Sequence, residues 1–204
     1  GEGDDFVTGF GEEGYGFDLD ADILIGGDGN DRFNAGYGDT VNGGAANDSL
    51  SLNFFAGATA GVTADLRQLA NDGTVVIGGA TLTGIEYILH LSLTQFDDDV
   101  IAGAILPGPD GILIDGWAGN DPITGTTGTD LIFGGDGDDE LHGGFGFNPA
   151  VSPSGDRIHG DDGNDSIFID GPDGASVSGG IGNDRVFGRA GSGPSRGIGA
   201  VSSA

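Results

Sequence analysis

Aspartates recur along this chain at a nearly fixed step. Asp22, Asp31, Asp39 and Asp48 are nine or eight residues apart, as are Asp121, Asp130 and Asp139, then Asp156 and Asp165, and Asp184 closes the series. Two residues after each comes an apolar side chain: Leu24, Phe33, Val41, Leu50, Ile123, Ile132, Leu141, Ile158, Ile167 and Val186. Glycines precede most of them, as in "GGDGNDRFN" (26–34) and "GGDGDDELH" (134–142). A carboxylate set beside main-chain carbonyls in a glycine-rich turn offers hard oxygen ligands. The chemistry this suits is ligation of a hard divalent cation, and calcium takes about six to eight such oxygens at ~2.3–2.6 Å.

The spacing defines a nine-residue frame. Glycine at positions 1, 2 and 4 permits positive φ and a tight turn, and aspartate holds position 6. Positions 7 to 9 make a short strand, whose alternation turns position 8 inward as a core ladder. From residue 17 the frames read "FDLDADILI", "GGDGNDRFN", "AGYGDTVN" and "GGAANDSLS". From residue 116 they resume as "GWAGNDPIT", "GTTGTDLIF", "GGDGDDELH", "GGFGFNPAV", "SPSGDRIH" and "GDDGNDSIF", with "GGIGNDRVF" following later. "GPDGILIDGWAGND" from Gly108 and "GPDGASVSGGIGND" from Gly171 lie 63 residues apart, which the frame counts as seven nonamers. A single Asp-Gly string is an ordinary turn; an array held in phase is not. "DLDADILIGGDG" from Asp18 fails as an EF-hand, lacking Gly at loop position 6 and Glu at position 12.

The pattern resembles the RTX (haemolysin-type) calcium-binding repeat, G-G-x-G-x-D-x-U-x, over residues 1–51 and 108–187. The resemblance implies an all-β fold, a right-handed parallel β-roll or solenoid with calcium ions in the turns. Two nonamers then make one coil, and repeats i and i+2 stack. Carried over residue by residue, the carboxylate ligands are Asp22, Asp31, Asp39, Asp48, Asp121, Asp130, Asp139, Asp156, Asp165 and Asp184, with Asp98 in a repeat-like "FDDDVIAG". Asp28, Asp136 and Asp162 at position 3 add oxygens. Carbonyls come from Gly27, Gly29, Gly119, Gly128, Gly135, Gly137, Gly163, Gly180 and Gly182. Asn148 replaces the aspartate, Ala46 a glycine and Trp117 a glycine, and sites touching them are expected to be weak or empty.

Residues 1–51 form an N-terminal repeat block and 108–190 a C-terminal one, with a Gly/Ser-rich tail at 191–204. Between the blocks, 52–107 breaks the pattern. "GVTADL", "GTVVIGGATL" and "IEYILHLSL" read as strands by β-branched content, so this stretch is expected to continue the solenoid as wider coils. A short helix is expected near "LRQLAND". The opening "GEGDDFVT" reads as a repeat entered at its second position, which suggests a piece of a longer protein.

Composition narrows the partners. Acids outnumber bases 33 to 6, for a net charge of −27 across 204 residues. Nucleic acid is excluded as a partner, because phosphate binding needs clustered Lys and Arg. No apolar run approaches the ~20 residues of a membrane span. Such acidity usually means disorder, yet 12 Phe and a steady supply of Ile, Leu and Val argue for a core that bound cations permit.

No catalytic constellation is present: there is no H-E-x-x-H, no G-x-S-x-G and no cysteine. His142 and His159, both at position 9, are expected to neighbour each other as a solvated surface pair. Phe133, Val151, Phe168 and Phe187 are expected to form one outward apolar ladder, either an interface for self-association or domain contact or a face covered by the tail. The function expected is therefore a non-catalytic calcium-binding module of a secreted or cell-surface bacterial-type protein. It would fold on calcium outside the cell after type I secretion and serve a structural or adhesive role. The alternative is the C-terminal secretion and stabilisation region of an extracellular enzyme such as a protease, lipase or alginate epimerase. Polysaccharide binding ranks third, weakened by one Trp and three Tyr.

Overall fold

The computed structural model describes residues 1–9, 20–55, 57–71, 73–103, 111–144, 155–169 and 175–188. Asn148, Val151 and the tail lie outside them. Eighteen short strands carry the described chain. The first repeats give β1 (Phe6–Thr8), β2 (Ile23–Asp28), β3 (Arg32–Ala35), β4 (Thr40–Ala45) and β5 (Ser49–Asn53). The interrupted stretch gives β6 (Thr63–Asp65), β7 (Val75–Ile77), β8 (Ala80–Thr83) and β9 (Tyr87–Ser92), with a single 3₁₀ turn at Leu66–Asn71. Then come β10 (Asp99–Gly103), β11 (Leu113–Asp115), β12 (Pro122–Thr126), β13 (Leu131–Asp136) and β14 (Glu140–His142). The last are β15 (Arg157–Asp162), β16 (Ser166–Ile169), β17 (Ser176–Ser178) and β18 (Arg185–Gly188).

Outside β6–β8, which share one face, successive strands alternate between two faces of a parallel roll. One face is an eight-stranded sheet in the order β1-β3-β5-β9-β11-β13-β15-β17. The other consists of a four-stranded sheet, β2-β4-β8-β7, and a six-stranded sheet, β18-β16-β14-β12-β10-β6. Every pairing is parallel except the β7–β8 hairpin, which turns through Gly78 and Gly79. The long sheet runs through the interruption, since β9 pairs with both β5 and β11.

The position-8 ladder forms the core. Phe33, Val41, Leu50, Ile123, Ile132, Leu141, Ile158 and Ile167 are all fully buried, and register places them on one another: Phe33 on Leu50, Ile132 on Ile158, Leu141 on Ile167. Burying each such side chain stabilises by roughly 1.5–3 kcal/mol. Leu24 is nearly buried, whereas Val186 in the terminal strand is half-buried. In the wider coils Phe54, Leu66, Ile77, Leu82, Ile85 and Leu93 fill the extra width.

Register corrects two expectations. Phe133 pairs with His159 on the long sheet, and His142 pairs with Phe168 on the other face. The two histidines are therefore not neighbours, and Phe133 does not share a ladder with Phe168 and Phe187. The cause is a frame count: the sequence reads two frames over residues 143–159, whereas β14 and β15 are successive half-coils of the roll. Gly143 and Asp156 meet between them, where a Cβ on Gly143 would collide with the Asp156 carboxylate. For the same reason the 63-residue offset spans three coils, β11 to β17, and so six half-turns rather than seven. The aromatic rows that result are His142–Phe168–Phe187, with centroids 4.3 and 4.8 Å apart, and Phe133–His159 at 4.9 Å.

Candidate metal centres

Turns stack along two edges of the roll, and two side-chain ladders sew them together. On the edge entering the six-stranded sheet, each position-6 backbone N–H donates to Oδ1 of the aspartate one coil on. Asp98 donates to Asp121 at 2.8 Å, Asp121 to Asp139 at 2.9 Å, Asp139 to Asp165 at 3.0 Å and Asp165 to Asp184 at 3.2 Å. The opposite edge does the same from Asp5 to Asp31 (2.8 Å) and Asp31 to Asp48 (2.7 Å). Asp22 donates likewise to Asp39, and Asp130 to Asp156, each at 3.0 Å. A second, exposed ladder runs through position 5 in the reverse sense. Asn164 N–H donates to Asp138 Oδ1 at 2.8 Å, and Asn183 N–H to Asn164 Oδ1 at 3.1 Å.

With Oδ1 occupied, the other carboxylate oxygen decides what a turn can do. Among the described residues six of them, Oδ2 of Asp31, Asp48, Asp121, Asp139, Asp165 and Asp184, are buried without any hydrogen-bond partner. An unsatisfied buried charge is costly, so such an oxygen calls for a cation. Three other carboxylates are closed by their own turns. Asp39 Oδ2 accepts from Gly36 N–H at 2.8 Å, Asp98 Oδ2 from Thr94 N–H at 2.8 Å, and Asp130 Oδ2 from Thr126 N–H at 2.6 Å.

A second oxygen stands beside most of the orphaned ones. A Cβ on Gly26 would strike both Asp31 Oδ2 and the Gly43 carbonyl of the next coil. The same pairing joins Asp48 with Gly84, Asp121 with Gly134, Asp139 with Gly160 and Asp165 with Gly179. Glycine at position 1 is thus required by the close approach of these oxygens. Positions 2 and 4 require glycine for another reason, their positive φ. The three non-glycine residues with positive φ, Ala46, Trp117 and Asp161, all sit in those slots. The turns holding Ala46 and Trp117 keep their shape, and their aspartates Asp48 and Asp121 keep the orphaned oxygen. Trp117 is held in place by stacking on Phe55 at 4.1 Å and by donating from Nε1 to Ser92 Oγ at 2.8 Å.

The remaining expected ligands fall elsewhere on the turns. Asp28, Asp136 and Asp162 are exposed at strand ends, and Asp22 and Asp156 are partly exposed. The carbonyls of Gly27, Gly119, Gly137 and Gly163 approach the matching turn of the next coil, where a Cβ on Gly44, Gly137, Gly163 or Gly182 would strike them. Among the described residues, no three His, Cys, Asp or Glu side chains converge on one point. A cation here must therefore be held by carboxylates and main-chain carbonyls together. Reading from sequence missed three contributors: the position-1 carbonyls, the position-5 ladder and Glu86, whose Oε2 accepts from Asp48 N–H at 2.7 Å. The frame itself signals Glu86, an acid standing at position 6 before "YILH".

Burial raises the carboxyls of Asp48, Asp121, Asp139 and Asp165, with neighbouring acids adding to it. Asp121 is pushed up to about 8, Asp139 to about 7 and Asp165 to about 6. Asp48 rises for the same cause, with Glu86 and Asp31 contributing. At neutral pH Asp121 holds a proton or a cation rather than a bare charge.

A family model for the RTX calcium-binding nonapeptide repeat matches the chain in four copies, at residues 18–50, 114–148, 153–168 and 176–193, together half of its 204 residues. The chain belongs to the RTX calcium-binding repeat family. No individual curated protein matches it. RTX repeats bind Ca2+, and the orphaned oxygens here fit that ion: hard, anionic and paired with carbonyls. This RTX chain is therefore an all-β calcium-binding roll. Its repeats are structural elements and not catalytic ones. Repeats of this type are typical of secreted bacterial proteins. Among the described residues no helix is long and apolar enough to cross a membrane.

Proposed function

We propose that this RTX roll is a folding switch driven by calcium, a non-catalytic structural or adhesive module of a protein that works outside the cell. Six buried carboxylate oxygens without a donor, in a chain of net charge −27, carry this reading. Asp31, Asp48, Asp121, Asp139, Asp165 and Asp184 are its ligands. The position-1 carbonyls of Gly43, Gly84, Gly134, Gly160 and Gly179 stand beside the first five. Carbonyls at positions 2 and 4, from Gly27, Gly29, Gly119, Gly135, Gly137, Gly163, Gly180 and Gly182, complete the oxygen shells. Asp39, Asp98 and Asp130, whose oxygens already accept N–H donors, lock turns that need no metal.

Energetics favour a switch. Without the ion the carboxylates repel, and glycine-rich turns are expensive to order. Extracellular calcium modules bind with Kd of about 10⁻⁴–10⁻³ M. A site whose Kd lies ten-fold below the ambient level adds roughly 1.4 kcal/mol. Five such sites would contribute about 7 kcal/mol, within the ~5–15 kcal/mol that stabilises a domain. In calcium-poor cytosol the chain would stay unfolded and able to thread a secretion channel. Far-UV circular dichroism during a calcium titration, with magnesium as control, tests this. A cooperative gain of β signal in calcium alone supports it, and full β structure in chelator at neutral pH would rule it out.

A further inference from the structure

We infer that calcium acts on this roll through two groups of sites that fill and empty separately, on either side of a metal-free seam. Two independent breaks mark the seam. Among the described residues the six-stranded sheet stops at β6 and the four-stranded sheet at β7, and these two strands pack together without pairing. Only the long sheet crosses, through β5, β9 and β11. The ladder of position-6 carboxylates breaks at the same level. Register sets Asp39 opposite Ala80 and Asp98 opposite Val62, both buried and without a side-chain oxygen. On the other edge the ladder runs from Asp31 through Asp48 to Glu86, whose N–H turns back to the Asp48 carbonyl at 3.2 Å. It starts again at Ile112, likewise buried, which donates to Asp130 Oδ1 at 3.0 Å.

The open sites sort to opposite sides of that seam. Before it stand Asp31 with the Gly43 carbonyl and Asp48 with that of Gly84, on the edge that enters the long sheet. After it stand Asp121 with Gly134, Asp139 with Gly160 and Asp165 with Gly179, on the edge that enters the six-stranded sheet. Within each group neighbouring sites share a turn. Gly43 opens the turn that presents Asp48, and Gly134 and Gly160 open those that present Asp139 and Asp165. A cation on one aspartate therefore orders the turn that carries the next, which couples the sites. Across the seam no turn is shared. Gly84 opens the turn of Glu86, and the turn that presents Asp121 follows the closed turn of Asp98. What joins the two groups is apolar: Leu52, Phe54, Leu66, Ile77, Leu82 and Leu93 are all at most 1% exposed. Their burial needs no metal, so the middle coils support either group while the other is empty. At intermediate calcium the roll is then ordered on one side of the seam and open on the other.

This inference rests on the assignment of the orphaned carboxylate oxygens as calcium ligands, so the test tells the two apart. Amide hydrogen exchange of the 204-residue chain is followed by mass spectrometry during a calcium titration. Asp48→Asn and Asp139→Asn keep Oδ1 for the N–H of Asp31 and Asp121 respectively, and each loses the anionic oxygen. Asp48→Asn is expected to shift protection of residues 26–53 to higher calcium, and to leave residues 116–142 and 157–168 as in the wild-type chain. Asp139→Asn is expected to do the reverse. A shift of both regions in either variant overturns the separation alone. So does a variant that stays unprotected throughout at saturating calcium, because one site would then hold both groups. Protection that neither variant shifts in any region overturns the ligand assignment and the separation together.

Discussion

Asp139 and Asp165 show how one residue type both builds the roll and opens it to metal. The backbone N–H of Asp139 donates to Asp165 Oδ1 at 3.0 Å, while Oδ2 of each is buried and without a donor. One oxygen joins two coils, and the other is left for a cation. Replacing Asp139 by Asn keeps Oδ1 as acceptor for the Asp121 N–H and deletes the anionic ligand. Thermal melts in calcium should show Asp139→Asn losing about 1–3 kcal/mol, and equilibrium dialysis should show it binding less calcium. A loss of stability with unchanged calcium stoichiometry would mean that the carboxylate is structural only.

The raised carboxyls set a pH dependence opposite to that of most acids in proteins. Asp121, Asp139 and Asp165 rise above their ordinary value, to about 8, 7 and 6, chiefly through burial. The folded chain thus holds protons more tightly than the unfolded one. In the absence of metal that stability is fully present near pH 4 and is lost as pH climbs through 6 to 8. In chelator, circular dichroism should show more β structure at pH 5 than at pH 8, and saturating calcium should flatten the difference. A metal-free β signal that rises with pH would contradict the burial of these groups.

Thr126 separates closed turns from open ones. Its N–H meets Asp130 Oδ2 at 2.6 Å and its Oγ1 meets Oδ1 at 2.7 Å. Thr126→Val removes the hydroxyl bond and should cost about 1–3 kcal/mol in calcium. The bound-calcium stoichiometry, measured by equilibrium dialysis, should not change.

Ala46 holds φ at 92° in a slot otherwise given to glycine. Left-handed backbone costs a residue with a Cβ about 1–2 kcal/mol. Ala46→Gly should therefore raise the melting temperature in calcium. By contrast Gly134→Ala would drive a Cβ into Asp139 Oδ2 and the Gly160 carbonyl, and should abolish both calcium binding and the fold on circular dichroism.

Much of this was legible in the sequence because position 8 repeats without exception: Phe33 to Leu50 and Ile123 to Ile167 each announce an inward rung. What escaped was length and bonding. Residues 143–159 count as two frames by composition, while the sheet order makes β14 and β15 successive half-coils. That single miscount carried His142 and Phe168 to the wrong face relative to His159 and Phe133. Glu86 was passed over because it lengthens the side chain expected at position 6. The division of aspartates into open and closed rests on whether Thr94, Thr126 or Gly36 reaches the second oxygen, and spacing alone does not reveal it.

The central claim is that calcium occupies the turns whose aspartate oxygen lacks a donor. Crystals grown in calcium and measured at a wavelength that brings out its anomalous signal test this directly. The account predicts peaks beside Oδ2 of Asp31, Asp48, Asp121, Asp139 and Asp165, and none within coordination distance of Asp39, Asp98 or Asp130. Peaks at those three, or bare carboxylates at the other five, would contradict it.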